Sequence, residues 1–432
     1  MIKTAKAKLQ LALDEANLAQ ALRVAREAVA GGVDLLEAGT PLIKSEGLDA
    51  VRKLKAEFPS VPVVADMKTM DAGRMETEMA AKAGASYVMV LGVAGDSTVQ
   101  DAIEAGKNHG VGIGVDLVGV ADPVARARQV EAMGAAFVSV HCPIDDQMTG
   151  KNPFAILAAV SAAVSIPVSV AGGIHSATAG KAVAAGASIV VVGGAISKSE
   201  QAADAARDIK RAMDTGEAVR SEHFVRGGAA DLRAMFLLVS TPNISDAMHR
   251  GGAMRGMTPI TPGQRIAGRA VTVRTYPGDW AKPVQAIEHA EEGDVIVCDA
   301  CAQPPAVWGE LATESCLQRK LGGVVIDGAI RDVDAIRKLG FPSFATHWSP
   351  NAGEPRGLGQ INVPIVCAGQ TVHPGDWIVG DDSGVVVIPA AKAVEVANRA
   401  TDVFERENRL RKEIRAASSL AQVMELLRWE KK

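Results

Sequence analysis

VPVVADMK, residues 61–68, is a nearly unbroken apolar run that ends on an aspartate and a lysine. A strand apolar on both faces is buried on both, as in a parallel sheet covered by helices. The same unit recurs as LQLALD (9–14), VDLLEAG (33–39), ASYVMVLG (85–92), VGIGVDLVG (111–119), AAFVSVH (135–141), IPVSVAGG (166–173) and ASIVVVGG (187–194). Alanine-rich amphipathic stretches such as NLAQALRVAREAVAGG and DPVARARQVEAMG lie between them. Strand and helix alternating eight times in about 215 residues predict an α/β fold, a compact (β/α)8 TIM barrel. Glycine pairs before a strand, as at Gly31–Gly32, mark helix ends with a tight return.

In such a barrel the informative polar residues end the strands. Here they are Asp14, Glu37, Asp66 with Lys68, Asp116, His141 and the glycines 172–173 and 193–194. A buried strand end has little reason to carry a carboxylate unless it is paired or ligated. Glu37 and Asp66 end neighbouring strands, and two carboxylates with open positions suit Mg²⁺. Asp66 and Lys68 are two apart, which places both on one strand face, and Asp71 lies on the loop beyond. An Asp/Lys network of this kind can hold an ammonium near an anionic intermediate; the bland alternative is a structural ring of ion pairs. Gly172, Gly173, Gly193 and Gly194 close the last two strands, where barrels often bind phosphate on backbone N–H groups; ordinary turn glycines are the alternative. His141 is an acid/base candidate or a satisfied core histidine. Together these residues suggest enediolate chemistry on a sugar phosphate.

The chain has 432 residues, too many for one ordinary core, with 48% hydrophobic and 22% charged residues, which excludes wholesale disorder. A net charge of −4 lacks the basic field of a nucleic-acid binder. Five cysteines, at 142, 298, 301, 316 and 367, are too few for a disulfide scaffold and suggest a reducing, cytoplasmic setting. Cys298 and Cys301 form a lone CxxC, read as buried small hydrophobes rather than a zinc site. Acidic residues interrupt the N-terminus before any long apolar run, so no signal peptide and no membrane span is expected.

Residues 1–216 resemble 3-hexulose-6-phosphate synthase of the orotidine-monophosphate decarboxylase superfamily. LALD (11–14), EAGTPLIKSEG (37–47), DMKTMDAG (66–73), HCPIDDQ (141–147) and the two GG strand ends carry the resemblance. It implies that Glu37 and Asp66 bind Mg²⁺. Lys68, Asp71 and Asp14 would belong to the charged catalytic network, with Asp14 also reaching substrate and Asp71 reaching a partner barrel's site. His141 would move a proton at C1 of ribulose 5-phosphate, and the enediolate would attack formaldehyde. The relative 3-keto-gulonate-6-phosphate decarboxylase resembles the pattern less well: its HxxR position is Ile144 here, and strand seven ends in Ala171. Pro143 stands where the synthase pattern has glycine and is expected to stiffen that loop.

The second half reads differently. Ser240, Thr241, Asn243 and Ser245 offer capping oxygens to a helix at 240–252. Glycine-spaced strands follow, in QRIAGRAVTVRTY, GDVIVCDA, GGVVIDG and FPSFATH; HPGDWIVGDDSGVVVIP reads as two strands around a turn. Mixed sheets are expected rather than a second barrel. In GGVVIDGAIRDVDAIRKLG (322–340), Arg331 offers a fork to a carboxylate. Asp332 offers a metal ligand or an ordinary helix cap. Gly309, Glu310 and Leu311, at a helix start, could present free N–H groups to an anion. The terminal AAKAVEVANRATDVFERENRLRKEIRAASS reads as an amphipathic helix whose charges form a solvated face.

TPNISDAM, GDVIVCDA, WGELAT, VIDGAIRD, FPSFA and the HPGDW segment resemble the RraA family, which includes ribonuclease regulators and 4-hydroxy-4-methyl-2-oxoglutarate aldolases. The resemblance implies a swivelling β/β/α domain. It also implies Arg331 and the Gly309–Leu311 loop on a keto-acid carboxylate, Asp332 toward Mg²⁺, and possible oxaloacetate decarboxylation; regulation by protein contact or mere assembly is the alternative. The chain thus divides into a barrel at 1–216 and an RraA-like domain at 222–432, with a junction near 217–226. Dimer contacts in the first and trimer contacts in the second would close as a hexamer.

Overall fold

The computed structural model describes residues 6–219, 226–416 and 419–424. The chain forms two compact units: Met1–Phe224 together with Glu405–Lys432, and Val225–Phe404. Most of the junction expected at 217–226 lies outside the described residues.

In the first unit eight parallel strands close into a barrel: β1 (Lys8–Leu13), β2 (Leu35–Ala38), β3 (Val63–Thr69), β4 (Tyr87–Leu91), β5 (Gly112–Asp116), β6 (Phe137–His141), β7 (Val168–Ala171) and β8 (Ile189–Val192). Closure is by β1 on β8, with Lys8 opposite Ile189 and Leu11 opposite Val192. Successive side chains on a strand point to opposite faces, and this splits the core in two. Leu9, Leu11, Val63, Ala65, Val88 and Val90 pack outward against the helices. Leu35, Val64, Met89 and Phe137 fill the interior, where Tyr87 meets Phe137 edge-on at 5.7 Å. Each such side chain contributes about 2 kcal/mol of burial. The alternation fails in β3. Its register against β4 shifts between Ala65 and Thr69, and Lys68 takes a left-handed backbone with φ of 48°. Asp66 and Lys68 therefore come together through a bulge, not through the simple two-residue period.

The second unit is the mixed β/β/α domain that the sequence predicts. Ile266–Arg274, Val295–Asp299, Gly323–Ile330 and Ser343–Trp348 run parallel. Trp377–Asp381 pairs antiparallel with Ile266–Arg274 and with Gly384–Ile388, the hairpin read from GDDSG. Ser240 caps the helix Thr241–Ala247 in a reciprocal capping box with Asn243. All five cysteines are free thiols. Cys298 is buried as expected, but Cys301 is exposed, with φ of 61°.

The terminal helix, Ala393–Arg415, is only in part the solvated charged face that its composition suggested: Arg406, Arg411 and Arg415 are exposed, but a second set of charges is buried. Ala393, Val396, Ala397 and Ala400 enter a core of the second unit. From Glu405 onward its residues belong to the first unit, and Glu405, Arg409 and Glu413 are all buried there. Their spacing of four puts them on one helix face, so charge pattern alone misread a stripe of buried, paired ions. Among the described residues, no helix is long and apolar enough to cross a membrane.

Candidate active site at the barrel mouth and a second cleft

The strand ends bring together most of the residues singled out in the first half. Lys68 Nζ lies 3.1 Å from Asp66 Oδ2 and 2.9 Å from Asp116 Oδ2. His141 Nδ1 is 3.1 Å from the same Asp116 oxygen. The Val118 N–H donates to Asp116 Oδ1 at 3.0 Å, and the Thr40 hydroxyl donates to Asp66 Oδ2 at 2.8 Å. Burial alone would discharge Lys68, but the Asp66 and Asp116 charges outweigh it and raise the ammonium above its ordinary value. Burial would raise Asp116, yet its hydrogen bond to His141 and the Lys68 charge hold it below the usual range.

Glu37 sits deeper, 8% exposed, and accepts a short hydrogen bond from Gln10 Nε2. Burial pushes its carboxyl well up, and then Asp66 and Asp14 push it further. Asp14 keeps contact with solvent at the rim. Enclosure of its carboxyl by the surrounding chain, then the Asp66 charge, raises it too. Three carboxylates thus crowd one corner of the mouth. A divalent cation among Glu37 and Asp66 would relieve that repulsion, so the residues suit Mg²⁺, which needs only one or two protein carboxylates. Among the described residues, no three His, Cys, Asp or Glu side chains form a ready cage for a metal of higher protein coordination. Gly39 is required here, because a Cβ would come within 2.6 Å of the Leu13 carbonyl oxygen, which is backbone and cannot give way, as well as against Asp14.

Asp71 is exposed on the loop beyond β3, where it accepts from the Ala72 N–H at 2.7 Å. Gly172 and Gly173 follow β7 with φ of 102° and 71°. A Cβ on Gly172 would strike the Cys142 carbonyl. On the adjacent strand end, Gly193 faces Asp14: a Cβ there would be 3.6 Å from Asp14 Oδ2. A Cβ on Gly194 would be 3.5 Å from Lys198 Nζ. The two glycine pairs and the Lys198 ammonium thus lie at adjoining strand ends, the place where such barrels often seat a phosphoryl group. Beyond β6, Pro143 with φ of −56° leads into the short helix Ile144–Met148, and Ile144 is 57% exposed.

In the second unit, Gly309, Glu310, Leu311, Arg331 and Asp332 line one cleft of about 260 Å³, with Trp280, Val284 and Trp308. Asp332 precedes the helix Val333–Leu339 in a left-handed conformation, φ of 55°, and makes no side-chain cap on it. Its Oδ2 instead accepts from the Glu310 N–H at 3.1 Å and lies 3.4 Å from Arg331 Nε. The cap alternative is thereby corrected: the carboxylate serves the start of a different helix, Glu310–Gln318. The Glu310 N–H is consequently not free, as the sequence reading had it.

Sequence reasoning flagged Asp116 only as a strand end, not as the group that joins Lys68 to His141. It passed over Lys198 and Gln10 altogether. Asp116 stands at its strand end as Asp66 does, which was the available signal. Lys198 follows the glycine pair by four residues, within reach of a turn back upon it, whereas nothing in the sequence distinguishes Gln10 from a core position.

Residues 7–209 match the family model "Orotidine 5'-phosphate decarboxylase / HUMPS family", and residues 241–387 match "Aldolase/RraA". The 3-hexulose-6-phosphate synthase of Mycobacterium gastri is 43% identical over 48% of this chain and 99% of its own length. That of Methylomonas aminofaciens is 42% identical over 46% of this chain and 96% of its own. A crystal structure of 3-hexulose-6-phosphate synthase from Salmonella typhimurium is 37% identical, covering 49% of this chain and 100% of that one, with a TM-score of 0.47.

Proposed function

The chain belongs, through its first half, to the orotidine 5'-phosphate decarboxylase / HUMPS family, and on that premise we propose that the barrel interconverts ribulose 5-phosphate plus formaldehyde with 3-hexulose 6-phosphate. The observation that carries this reading is the Lys68–Asp116–His141 relay beside Asp66. Asp116 holds His141 by Nδ1 and so leaves Nε2 to take the C1 proton of the pentulose. Lys68, kept charged by Asp66 and Asp116, faces the negative charge that develops on the enediolate oxygens. The enediolate carbon attacks formaldehyde, forming the C–C bond, and the proton carried by His141 offsets the new alkoxide.

Glu37 and Asp66 would hold Mg²⁺, which when bound supplies Lewis-acid polarisation of the substrate's oxygens. Gly172, Gly173, Gly193, Gly194 and Lys198 bind the phosphoryl end. Asp14 is placed to reach a substrate hydroxyl, and Asp71 acts outside its own barrel's cluster. Ile144 offers no cation to a carboxylate, which favours this reaction over decarboxylation of 3-keto-gulonate 6-phosphate. The test is turnover of the full chain with ribulose 5-phosphate and formaldehyde, with and without Mg²⁺.

For the RraA-like half, the Arg331–Asp332 cleft favours a lyase acting on a short 2-keto acid. Arg331 and the Leu311 N–H would take its carboxylate, and Asp332 would stand on the Mg²⁺ side. Oxaloacetate decarboxylation is the simplest such reaction; a cleft without activity would leave this half an assembly or regulatory module. Two-fold contacts from the barrel and three-fold contacts from the RraA-like half would build a hexamer, which light scattering on the full chain measures.

A further inference from the structure

The buried stripe on the terminal helix touches the part of the barrel that carries the second glycine pair. Arg409 is 3% exposed. Its Nη1 and Nη2 each lie 3.0 Å from a carboxylate oxygen of Glu27, a bidentate pair, and its Nε is 3.2 Å from Glu413. Nη1 also donates to the Ser199 carbonyl at 3.2 Å. Lys412 donates to the neighbouring Glu200 carbonyl and lies 3.3 Å from Glu27 Oε2. Ser199 and Glu200 directly follow the short helix Gly194–Ser197 and Lys198. From the other side comes Glu15, one residue past Asp14. It is hydrogen-bonded to Ser197 and acted on by the Arg409 charge, while its Oε2 is buried without a hydrogen-bond partner.

A buried guanidinium is costly unless its donors are used, and here they tie three segments together: Nε to Glu413 on the same helix, both Nη atoms to Glu27 on the helix Leu18–Ala30, and Nη1 also to the Ser199 carbonyl after the second glycine pair. The free-standing synthases are consumed by the barrel match over 99% and 96% of their own length. Almost nothing of theirs remains to correspond to residues 405–416.

We propose that Arg409 is a positioning residue for the phosphate end of the barrel: by fixing the Ser199 carbonyl against Glu27, it sets Gly193, Gly194 and Lys198 at the distance the substrate's phosphoryl group requires. The inference rests on the phosphorylated substrate proposed above. Supporting groups act this way when a bound group must be held within a fraction of an ångström.

Full-chain Arg409→Met and Arg409→Lys are compared with wild type for ribulose 5-phosphate binding by titration calorimetry, and for kcat and KM. Arg26→Met, which removes an exposed ion pair with Glu57 on the same helix as Glu27, is the control for a structural loss. Arg409→Met is expected to raise Kd and KM about ten-fold while kcat stays within about two-fold, since contacts to a phosphoryl group held alike in ground and transition states are lost from binding and not from turnover. Lysine recovers part of the affinity, and Arg26→Met leaves it unchanged. If Arg409→Met does not fold, Lys412→Met is read in the same way. A folded variant with wild-type affinity, or one whose kcat falls with folded fraction at constant KM, overturns the proposal. Wild type that binds ribulose 5-phosphate but never condenses it with formaldehyde refutes the synthase reading alone, and the binding comparison still decides the role of Arg409.

Discussion

Lys68 and His141 converge on one oxygen: Asp116 Oδ2 lies 2.9 Å from the ammonium and 3.1 Å from the imidazole Nδ1. A single carboxylate therefore sets the charge of one group and the orientation of the other. Asp116→Asn keeps the shape and removes the charge. It should lower kcat about 10²-fold, the usual cost of losing one preorganised electrostatic contact, with KM for ribulose 5-phosphate nearly unchanged. An unaltered kcat would detach both groups from the chemistry.

Asp66→Ala strips the cluster of the carboxylate shared by Lys68, Thr40 and the proposed metal. Turnover should fall by about two powers of ten or more, since metal and electrostatic contributions are typically about 3 kcal/mol or more. EDTA should abolish wild-type turnover and added Mg²⁺ restore it. Full activity in the chelated enzyme would remove Mg²⁺ from the site.

Ile144→Arg places a cation where the decarboxylase pattern has one. Native enzyme should handle 3-keto-gulonate 6-phosphate poorly. The variant should release CO₂ from it about ten-fold faster, the worth of one charge-assisted hydrogen bond. Native decarboxylation faster than formaldehyde condensation would mean that the barrel's substrate has been misassigned.

Glu15 supplies a pH dependence of stability. Burial is the main cause that raises its carboxyl from 4.5 to about 7 in the folded chain. Between those values the folded state binds a proton that the unfolded state has lost, so stability declines as pH rises through the window and stays lower above it. Glu15→Gln removes the cost. Its thermal midpoint should match wild type near pH 4.5 and exceed it by roughly 2 °C above pH 7. A gap independent of pH would show that the carboxyl is not protonated in the fold.

Asp332→Ala tests the RraA-like cleft. With Asp66→Ala silencing the barrel, the full chain should release pyruvate from oxaloacetate above the rate of free Mg²⁺, and the added Asp332→Ala should remove that excess without changing the oligomer. Two rates equal to the background would leave the second half without lyase activity.

Much of this was legible in the chain. Eight apolar runs with polar ends fix a parallel barrel, because strand period and burial leave few other arrangements, and those ends named Glu37, Asp66, Lys68 and His141. What escaped depended on contacts distant in sequence. Lys68 leaves the strand alternation at a bulge and reaches Asp116, 48 residues further along the chain. Asp332 looks like a local cap, yet its partner is Glu310, on another helix. Arg409 reads as one more surface charge because Glu27, its counter-ion, is so far back along the chain.

That separation also bears on the order in which the molecule can be made. The barrel strands leave the ribosome first, but Glu27 and the Ser199 carbonyl meet Arg409 only after all of Val225–Phe404 has been synthesised, an interval on the order of ten seconds or more. The nascent barrel must wait through it with an unanswered acid on its first helix. A chain cut short anywhere between the end of the barrel, Thr215, and Arg409 would carry every proposed catalytic side chain of the first unit and still lack a part of its frame.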